Sequence, residues 1–348
     1  MSNIARMMQR ATAGAAGAGL DVDEVFSTYL YDGNNTGQSI VNGIDLSGEG
    51  GLVWTKARDY TVDHALVDTV RGNTKFVQSN SADDEETTSV GITAFNSTGY
   101  TLGADNTWKF NVSNSYVSEY VSWTFRKAPK FFDVVKYNGT GSTQNISHNL
   151  GVVPAMIMVK GFDSQSGASR WNVYHKDASP NGTPQNGRMA LNTSDPWGEH
   201  PTVSVFQGLW NNTAPTDSVF TVGSYGDTNG SGQEFIAYLF AHNDGDGEFG
   251  PDSDADIIKC GTYTGNGALG NAINLGFEPQ WLLVKNASSS ANWNIVDAMR
   301  GTVTGGIDAL LFTNTNAAEA NTVNRFKFTA TGFEPETEGN LNSNHNGD

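Results

Sequence analysis

The chain has 348 residues, of which 40 are Gly and 10 are Pro, and its formal net charge is −17. Aromatic residues make up 11% and charged residues 16%, a composition typical of turn-rich β structure and not of a disordered chain. A phosphate backbone would repel so acidic a surface, which argues against nucleic-acid binding. Cys260 is the single cysteine, which excludes an intrachain disulfide, and the lack of a long apolar run predicts no membrane insertion.

The first 20 residues predict a segment for attachment or oligomerisation. Its apolar residues are spaced as on one face of a helix: Ile4, Met7, Met8 and Ala11. So short a helix is marginal alone in water and needs a partner. The Ala- and Gly-rich stretch that follows fits a flexible tail equally well. Arg6 and Arg10 interrupt the apolar region, so a signal peptide is not expected.

One phrase of strand-like residues recurs three times along the chain. The copies are Leu52-Val-Trp-Thr-Lys56, Met156-Ile-Met-Val-Lys160 and Trp281-Leu-Leu-Val-Lys285. In each copy a ring residue follows the lysine, at a distance of eight, eleven and eight residues: His64, Trp171 and Trp293. Matched spacing of this kind predicts tandem structural units. We assign them to residues 21–132, 133–243 and 257–348, each of roughly a hundred residues and able to bury a core.

These units predict an all-β fold of three antiparallel β-sandwiches, lectin-like or jelly-roll-like, with helix confined mainly to the N-terminus. Alternating segments close the first two units, at Glu119–Phe125 and Glu234–Phe240. The third unit ends near the position where such a strand would start. Because an unclosed sheet exposes an edge, we expect either that a longer chain has been cut here or that another chain supplies the strand.

An acidic segment at residues 244–256 separates the second and third units. Its carboxylates are candidate calcium ligands: Asp244, Asp246, Asp252, Asp254 and Asp256. The segment does not match an EF-hand, because Phe249 and Ala255 occupy the glycine and glutamate positions of that loop. A plain acidic linker and a calcium-stiffened hinge both fit.

Motifs for catalysis are lacking, so an enzyme is not expected. Asp68 and Asp297 each precede an arginine by three residues, which predicts structural ion pairs with Arg71 and Arg300. His64 is interpreted as a packing substitution for tryptophan, and the recurring tryptophans of the other units are expected to be buried. The paired carboxylates of a glycosidase stay open as an alternative, because spatial pairing is invisible in a sequence.

An insertion at residues 181–217 of the second unit contains Trp197, His200 and Trp210 among Asn, Gly and Pro. Aromatic side chains in polar loops form platforms for sugars or protein partners, which makes these three residues candidates for a glycan- or partner-binding site. The alternative is that they cover the end of the sandwich.

The whole pattern resembles a family of structural proteins of tailed phages, especially marine ones. The segments that carry the resemblance are Ile4-Ala-Arg-Met-Met8, Phe26-Ser-Thr-Tyr-Leu-Tyr-Asp-Gly33, Ser122-Trp-Thr-Phe-Arg-Lys-Ala-Pro129, Asn243-Asp-Gly-Asp-Gly-Glu-Phe-Gly250 and Ile257-Ile-Lys-Cys-Gly261. The resemblance implies a tail fibre or related virion appendage, and it brings no catalytic residue to this sequence.

On this resemblance we expect a virion protein that is homotrimeric, docks onto other virion proteins through its N-terminus and contacts a host surface receptor. Three alternatives stay open. They are a capsid decoration or fibre protein, a lectin-like glycan-binding module, and a glycan-degrading tailspike.

Overall fold

The computed structural model describes residues 19–163, 170–199, 208–301, 308–336 and 343–347. These residues form 24 strands and only short helices, so the prediction of an all-β fold is confirmed. The helices are α1 (Val22–Val25), α2 (Gly226–Asn229) and a 3-10 turn at Pro184–Asn186, and residues 208–210 are also helical. None of the described helices is long and apolar enough to cross a membrane. The predicted attachment helix, with Ile4, Met7, Met8 and Ala11, lies outside the described residues.

The first unit consists of nine strands. They are β1 (Phe26–Asp32), β2 (Gln38–Val41), β3 (Gly51–Ala57), β4 (Ala65–Asp68), β5 (Lys75–Phe76), β6 (Glu86–Thr87), β7 (Ile92–Asn96), β8 (Gly99–Leu102) and β9 (Glu119–Arg126). A four-stranded sheet has the order β1-β9-β3-β4, a second sheet has the order β2-β8-β7, and β5 pairs with β6. The closing strand β9 therefore lies between the first and third strands of its unit.

The second unit repeats this plan with a larger sheet. Its strands are β10 (Phe132–Asn138), β11 (Gln144–Ser147), β12 (Met156–Gly161), β13 (Asn172–His175), β14 (Gly187–Ala190), β15 (Gly198–Glu199), β16 (Val219–Val222) and β17 (Glu234–Phe240). The main sheet has the order β10-β17-β12-β13-β14-β15, and β11 pairs with β16. The closing strand β17 again lies between the first and third strands.

The third unit has two smaller sheets. Its strands are β18 (Ile273–Asn274), β19 (Trp281–Val284), β20 (Asn294–Asp297), β21 (Asp308–Phe312), β22 (Ala320–Val323), β23 (Phe326–Thr329) and β24 (Gly332–Pro335). The sheet orders are β19-β20-β21-β22 and β18-β24-β23. Within the described ranges no strand pairs with the outer edge of β19, and residues 257–263, which correspond to β1 and β10, form no regular strand.

Each unit has its own core, and a fourth core is shared by all three. In the first unit the alternate side chains of β3 belong to different cores: Val53 packs between the two sheets of the unit, whereas Leu52 and Trp54 face the shared core. Both faces of β3 are therefore buried along its whole length, including the polar residues Thr55 and Lys56. The shared core brings together large side chains from every unit, among them Trp123, Tyr238 and Trp293.

Equivalent backbone hydrogen bonds join the three units in a cycle. They run from Glu85 N to Phe162 O at 2.9 Å, from Trp197 N to Ala287 O at 2.8 Å, and from Glu319 N to Arg58 O at 2.7 Å. The acceptor is in every case the second residue after the repeated lysine. The units thus close on one another in a pseudo-threefold ring and do not extend in a line.

A second set of equivalent contacts reinforces the ring. The indole of Trp171 donates to Gln78 O at 2.8 Å and that of Trp293 donates to Ala190 O at 3.0 Å. The corresponding His64 lies 3.0 Å from Phe312 O through its Nε2. Trp171 and Trp293 are 0% and 3% exposed, so the expectation that they are buried is confirmed, and His64 is a packing residue as predicted.

Candidate functional site

Three aromatic side chains cluster on the surface of the first unit, and we call them the aromatic patch: Tyr60, Trp108 and Tyr116. They are 36%, 37% and 62% exposed. The ring of Tyr60 lies between the other two, with centroids 5.6 Å from Trp108 and 5.7 Å from Tyr116. Rings at these distances form a continuous apolar surface of the kind that contacts the apolar face of a sugar or a partner side chain.

The loop that presents Trp108 is built around a buried carboxylate. Asp105 is 4% exposed, and its Oδ2 accepts hydrogen bonds from the backbone N–H groups of Phe110 and Asn111 at 2.9 and 3.2 Å. The hydroxyl of Tyr120 donates to Trp108 O at 3.0 Å. These bonds hold Trp108 at a φ of 68°, a left-handed conformation that is costly for a bulky residue and is found most often at functional positions.

Tyr60 is held by the repeated lysine of the first unit. Lys56 is buried, and its Nζ donates to Ala57 O at 2.6 Å and to Tyr60 O at 3.4 Å. Burial lowers the pKa of Lys56 to about 8. Next to it, the carboxylate of Asp59 accepts from the backbone N–H of Ser118 at 2.8 Å, which ties this loop to the segment that leads into β9. The patch is thus presented by two loops with fixed backbones.

The predicted platform in the insertion is not assembled. Trp210 is 2% exposed and its indole donates to Gly187 O at 3.0 Å, so it is a core residue and the prediction that it forms a surface platform is wrong. The polar residues that follow Trp210 in the sequence suggested an exposed loop, although the side chain is buried. Trp197 is half-buried at the seam between the second and third units. His200 lies outside the described residues.

The acidic segment folds as a compact loop. The carboxylate of Asp256 accepts from the backbone N–H groups of Gly245 and Gly247 at 2.8 and 3.0 Å, and Asp246 accepts from Asp244 N at 2.9 Å. In the part of the chain that the structure describes, no group of three or more His, Cys, Asp or Glu side chains is arranged to hold a metal ion. Calcium binding by the predicted ligands stays a prediction: Asp244, Asp246, Asp252, Asp254 and Asp256.

Two buried ionic networks occupy equivalent positions in the first and third units. Arg71 contacts Asp68 at 2.6 Å and Glu85 at 3.2 Å, and Arg300 contacts Asp297 at 2.6 Å and Glu319 at 3.2 Å. The predicted ion pairs are confirmed. The second unit has an uncharged set in the same three places: His175, Ala178 and Trp197.

The networks also receive a hydrogen bond from the closing strand of a neighbouring unit. Tyr238 of β17 donates to Asp68 Oδ2 at 2.9 Å, and Trp123 of β9 donates to Asp297 Oδ2 at 3.0 Å. Each carboxylate is therefore shared between an arginine of its own unit and a ring of the next one. Both carboxylates, Asp68 and Asp297, make these hydrogen bonds with buried groups of the protein itself, so their role is structural.

Sequence reasoning missed the aromatic patch. Tyr60 follows β3 in the polar stretch Arg58-Asp-Tyr-Thr61, and Trp108 and Tyr116 stand among Asn and Ser between β8 and β9. The same pattern, aromatic residues in polar loops, made the insertion at residues 181–217 a candidate binding site. The sequence does not show that these two loops, which are about fifty residues apart, lie next to each other in space.

These features define an all-β repeat protein with three fused units around one shared core. The chain belongs to the family described as domain of unknown function DUF7483, whose profile matches residues 21–348. No curated protein sequence matches the chain at a significant level.

Proposed function

We propose that this protein is a structural component of a phage virion, a tail-fibre subunit that contributes to host recognition by binding and not by catalysis. The observation that carries the recognition part is the aromatic patch, whose rings are exposed while the backbone beneath them is fixed by Asp105, Tyr120 and Lys56. The virion part of the proposal rests on the resemblance of the sequence to phage appendage proteins.

The ring of three units suits this role. A surface that must keep its shape outside a cell without disulfides needs another source of rigidity. The shared core and the cyclic hydrogen bonds between Glu85 and Phe162, and their equivalents, supply it. In this proposal residues 1–20 dock the protein onto other virion proteins and join three copies in a homotrimer.

A glycan array tests the recognition part. The intact protein is expected to bind a subset of host-surface glycans, and Trp108→Ala is expected to weaken that binding at least about tenfold, because burial of a large apolar side chain contributes on the order of 1.5–3 kcal/mol. Leu269→Ala is the matched control, because Leu269 is 60% exposed in the third unit and outside the patch. Equal losses in both variants would remove the patch from the proposal.

Deletion of residues 1–20 tests the assembly part. The truncated protein is expected to keep the circular dichroism spectrum of the β units and to be missing from purified particles by quantitative mass spectrometry. If it still joined particles at normal copy number, N-terminal docking would be wrong and lateral binding to a capsid would replace it.

A further inference from the structure

A carboxylate lies beside the aromatic patch and is held in place through one of its two oxygens. Asp59 is exposed and directly precedes Tyr60 in the chain. Its Oδ2 accepts from the backbone N–H groups of Ser118 and Glu119 at 2.8 and 3.1 Å, and from the hydroxyl of Ser118 at 3.1 Å. The carboxylate therefore lies where the loop of Tyr60 meets the segment that carries Tyr116.

The second oxygen of this carboxylate is unused by the protein. Among the described residues no hydrogen-bond donor reaches Oδ1 of Asp59, and no Lys, Arg or His nitrogen lies within 4.0 Å of either oxygen. The carboxylate is thus oriented by the chain without being neutralised by it. An ionised acceptor fixed in this way can pair with a charged donor from outside the protein.

Two further carboxylates lie at the same end of the first unit. Glu119 begins β9, and its side chain is 53% exposed. It lies opposite Asp32, the exposed last residue of β1, in the register of the sheet. Together with Asp59 these side chains give this end of the unit a negative charge.

The two cations next to the patch are engaged within the protein. The guanidinium of Arg58 binds both carboxylate oxygens of Glu319, at 3.0 and 2.9 Å. Lys109, which follows Trp108 in the chain, has its Nζ over the ring of Phe76 at 5.6 Å from the centroid, and that ring is 1% exposed. These contacts leave carboxylates as the dominant charge that a ligand meets at the patch.

The rings and the carboxylate of Asp59 favour the same kind of ligand. The face of an aromatic ring carries partial negative charge and attracts a cation within about 6 Å of its centre. An anionic ligand would be repelled by the carboxylates, and a neutral ligand would gain contact with the rings alone. Charge complementarity therefore favours a ligand with a positive charge.

The patch lies at the end of the first unit that is opposite to residues 19–25. The seven residues of β1 begin at Phe26, which pairs with Phe125, and end at Asp32, which pairs with Glu119. A strand of this length spans roughly 20 Å. If the protein docks through its N-terminal segment, as proposed above, the patch is at the end away from the attachment.

We propose that the aromatic patch binds a glycan that carries a protonated amine, such as an amino sugar that is not acetylated. The ammonium group pairs with the carboxylate of Asp59, and the sugar ring lies against Tyr60 and Trp108. The inference rests on the proposed function, because it specifies which glycans the patch recognises. It makes Asp59 the residue that determines specificity.

Two oligosaccharides that differ in charge test the proposal with the full-length protein. They are an oligomer of glucosamine and the same oligomer with every amine acetylated. At a pH where the amines are protonated, calorimetry is expected to show that the amine form binds at least about tenfold more tightly, because an ionised hydrogen bond is lost on acetylation. Equal or tighter binding of the acetylated form would overturn the proposal.

Asp59→Asn locates the interaction. The substitution keeps the shape of the side chain and one oxygen for the donors of Ser118, and it is expected to reduce binding of the glucosamine oligomer to that of the acetylated form. Asp45→Asn is the matched control. The carboxylate of Asp45 also accepts from a backbone N–H, that of Gly48 at 2.7 Å, and it lies in the loop that leads into β3. Equal losses in the two variants, or a preference that survives in Asp59→Asn, would contradict the assignment.

Thermal unfolding verifies that both variants are folded. Should Asp59→Asn fail to fold, the salt dependence of the wild type replaces it. The preference for the amine form is expected to shrink as the ionic strength rises, because salt screens the attraction between exposed charges. A preference that salt leaves unchanged would show that charge does not cause it.

A glycan array separates this inference from the proposed function. Binding confined to neutral glycans, and weakened in Trp108→Ala, would keep recognition by the patch and remove the role of charge. Binding of no glycan at all would remove both. If a lysine oligomer bound as tightly as the glucosamine oligomer, the patch would be a site for cationic peptides, and the proposed glycan would be wrong.

Discussion

Trp54 donates its indole N–H to Nδ1 of His64 at 2.9 Å, and Nε2 of the same imidazole lies 3.0 Å from Phe312 O of the third unit. Since Nδ1 accepts, the imidazole is neutral and its Nε2–H donates to the carbonyl. A histidine in the place of the recurring tryptophan therefore keeps the contact with the neighbouring unit. It also leaves room for Trp54, where the other units have Met158 and Leu283.

Exchange of the two side chains is expected to be compensatory. His64→Trp alone overpacks the shared core beside Trp54 and is expected to cost about 1–3 kcal/mol of unfolding free energy. Trp54→Leu recreates the combination of Leu283 and Trp293, so the double variant is expected to be more stable than His64→Trp alone. Chemical denaturation of the four proteins of this cycle measures the coupling. Additive losses of unfolding free energy would show that the side chains at positions 54 and 64 do not compete for the same space.

Stability is expected to fall in mild acid because His64, which is buried, and His175, which is half-buried, take up protons on unfolding. Burial lowers the pKa of His64 well below 6.5 and lowers the pKa of His175 to about 4. A depressed folded-state pKa gives stability that is present above pH 6.5 and is lost as the pH falls toward the folded value. Denaturation midpoints between about pH 7 and about pH 5 are expected to depend less on pH in His64→Gln than in the wild type.

Burial determines how much an ion pair contributes to the free energy of unfolding of this protein. Asp297 and Arg300 are 0% exposed at 2.6 Å, whereas Lys136 and Glu234 are 35% and 36% exposed at the same distance. Asp297→Ala removes one of the two carboxylates that pair with the buried Arg300 and leaves the indole N–H of Trp123 without its acceptor, at an expected cost of about 3–5 kcal/mol. Glu234→Ala is expected to cost about 1 kcal/mol or less.

Equilibrium unfolding of both single variants checks this ordering. Asp297→Leu combined with Arg300→Met is expected to recover part of the loss, since the second unit folds with His175 and Ala178 in these places. Equal losses at the buried and exposed pairs would contradict the burial argument.

Trp108→Gly is expected to separate binding from stability. The left-handed φ of 68° suits glycine, and removal of that strain, of order 1–3 kcal/mol, offsets the lost contact with Tyr60 and the added chain entropy. The variant is expected to unfold within about 1 kcal/mol of the wild type while glycan binding is lost. Trp210→Ala, at a buried position, is expected to lose about 3–5 kcal/mol. Loss of stability in Trp108→Gly as large as in Trp210→Ala would make Trp108 a structural residue.

The strands and the ion pairs of this fold could be predicted from the sequence, but the closure of the three units into a ring could not. Repeated spacing predicted the strands at Leu52, Met156 and Trp281, and the three-residue spacing from Asp297 to Arg300 predicted a contact that forms within one turn. The ring could not be predicted, because bonds such as Glu85 N to Phe162 O join residues of different units, and the repeat spacing does not show which units are neighbours in space. Trp210 was misplaced for a related reason, since the partner that buries it, Gly187, is distant in sequence.

Cyclic closure gives every one of the three units two neighbours. In an open solenoid an added or deleted repeat changes the length and leaves every interface intact. Here the bond from Glu319 N to Arg58 O returns the last unit to the first, so a fourth unit would have no free neighbour and a loss of one would expose two seams at once. A change in the number of units would therefore have to break these bonds, whereas a change within a loop leaves them intact.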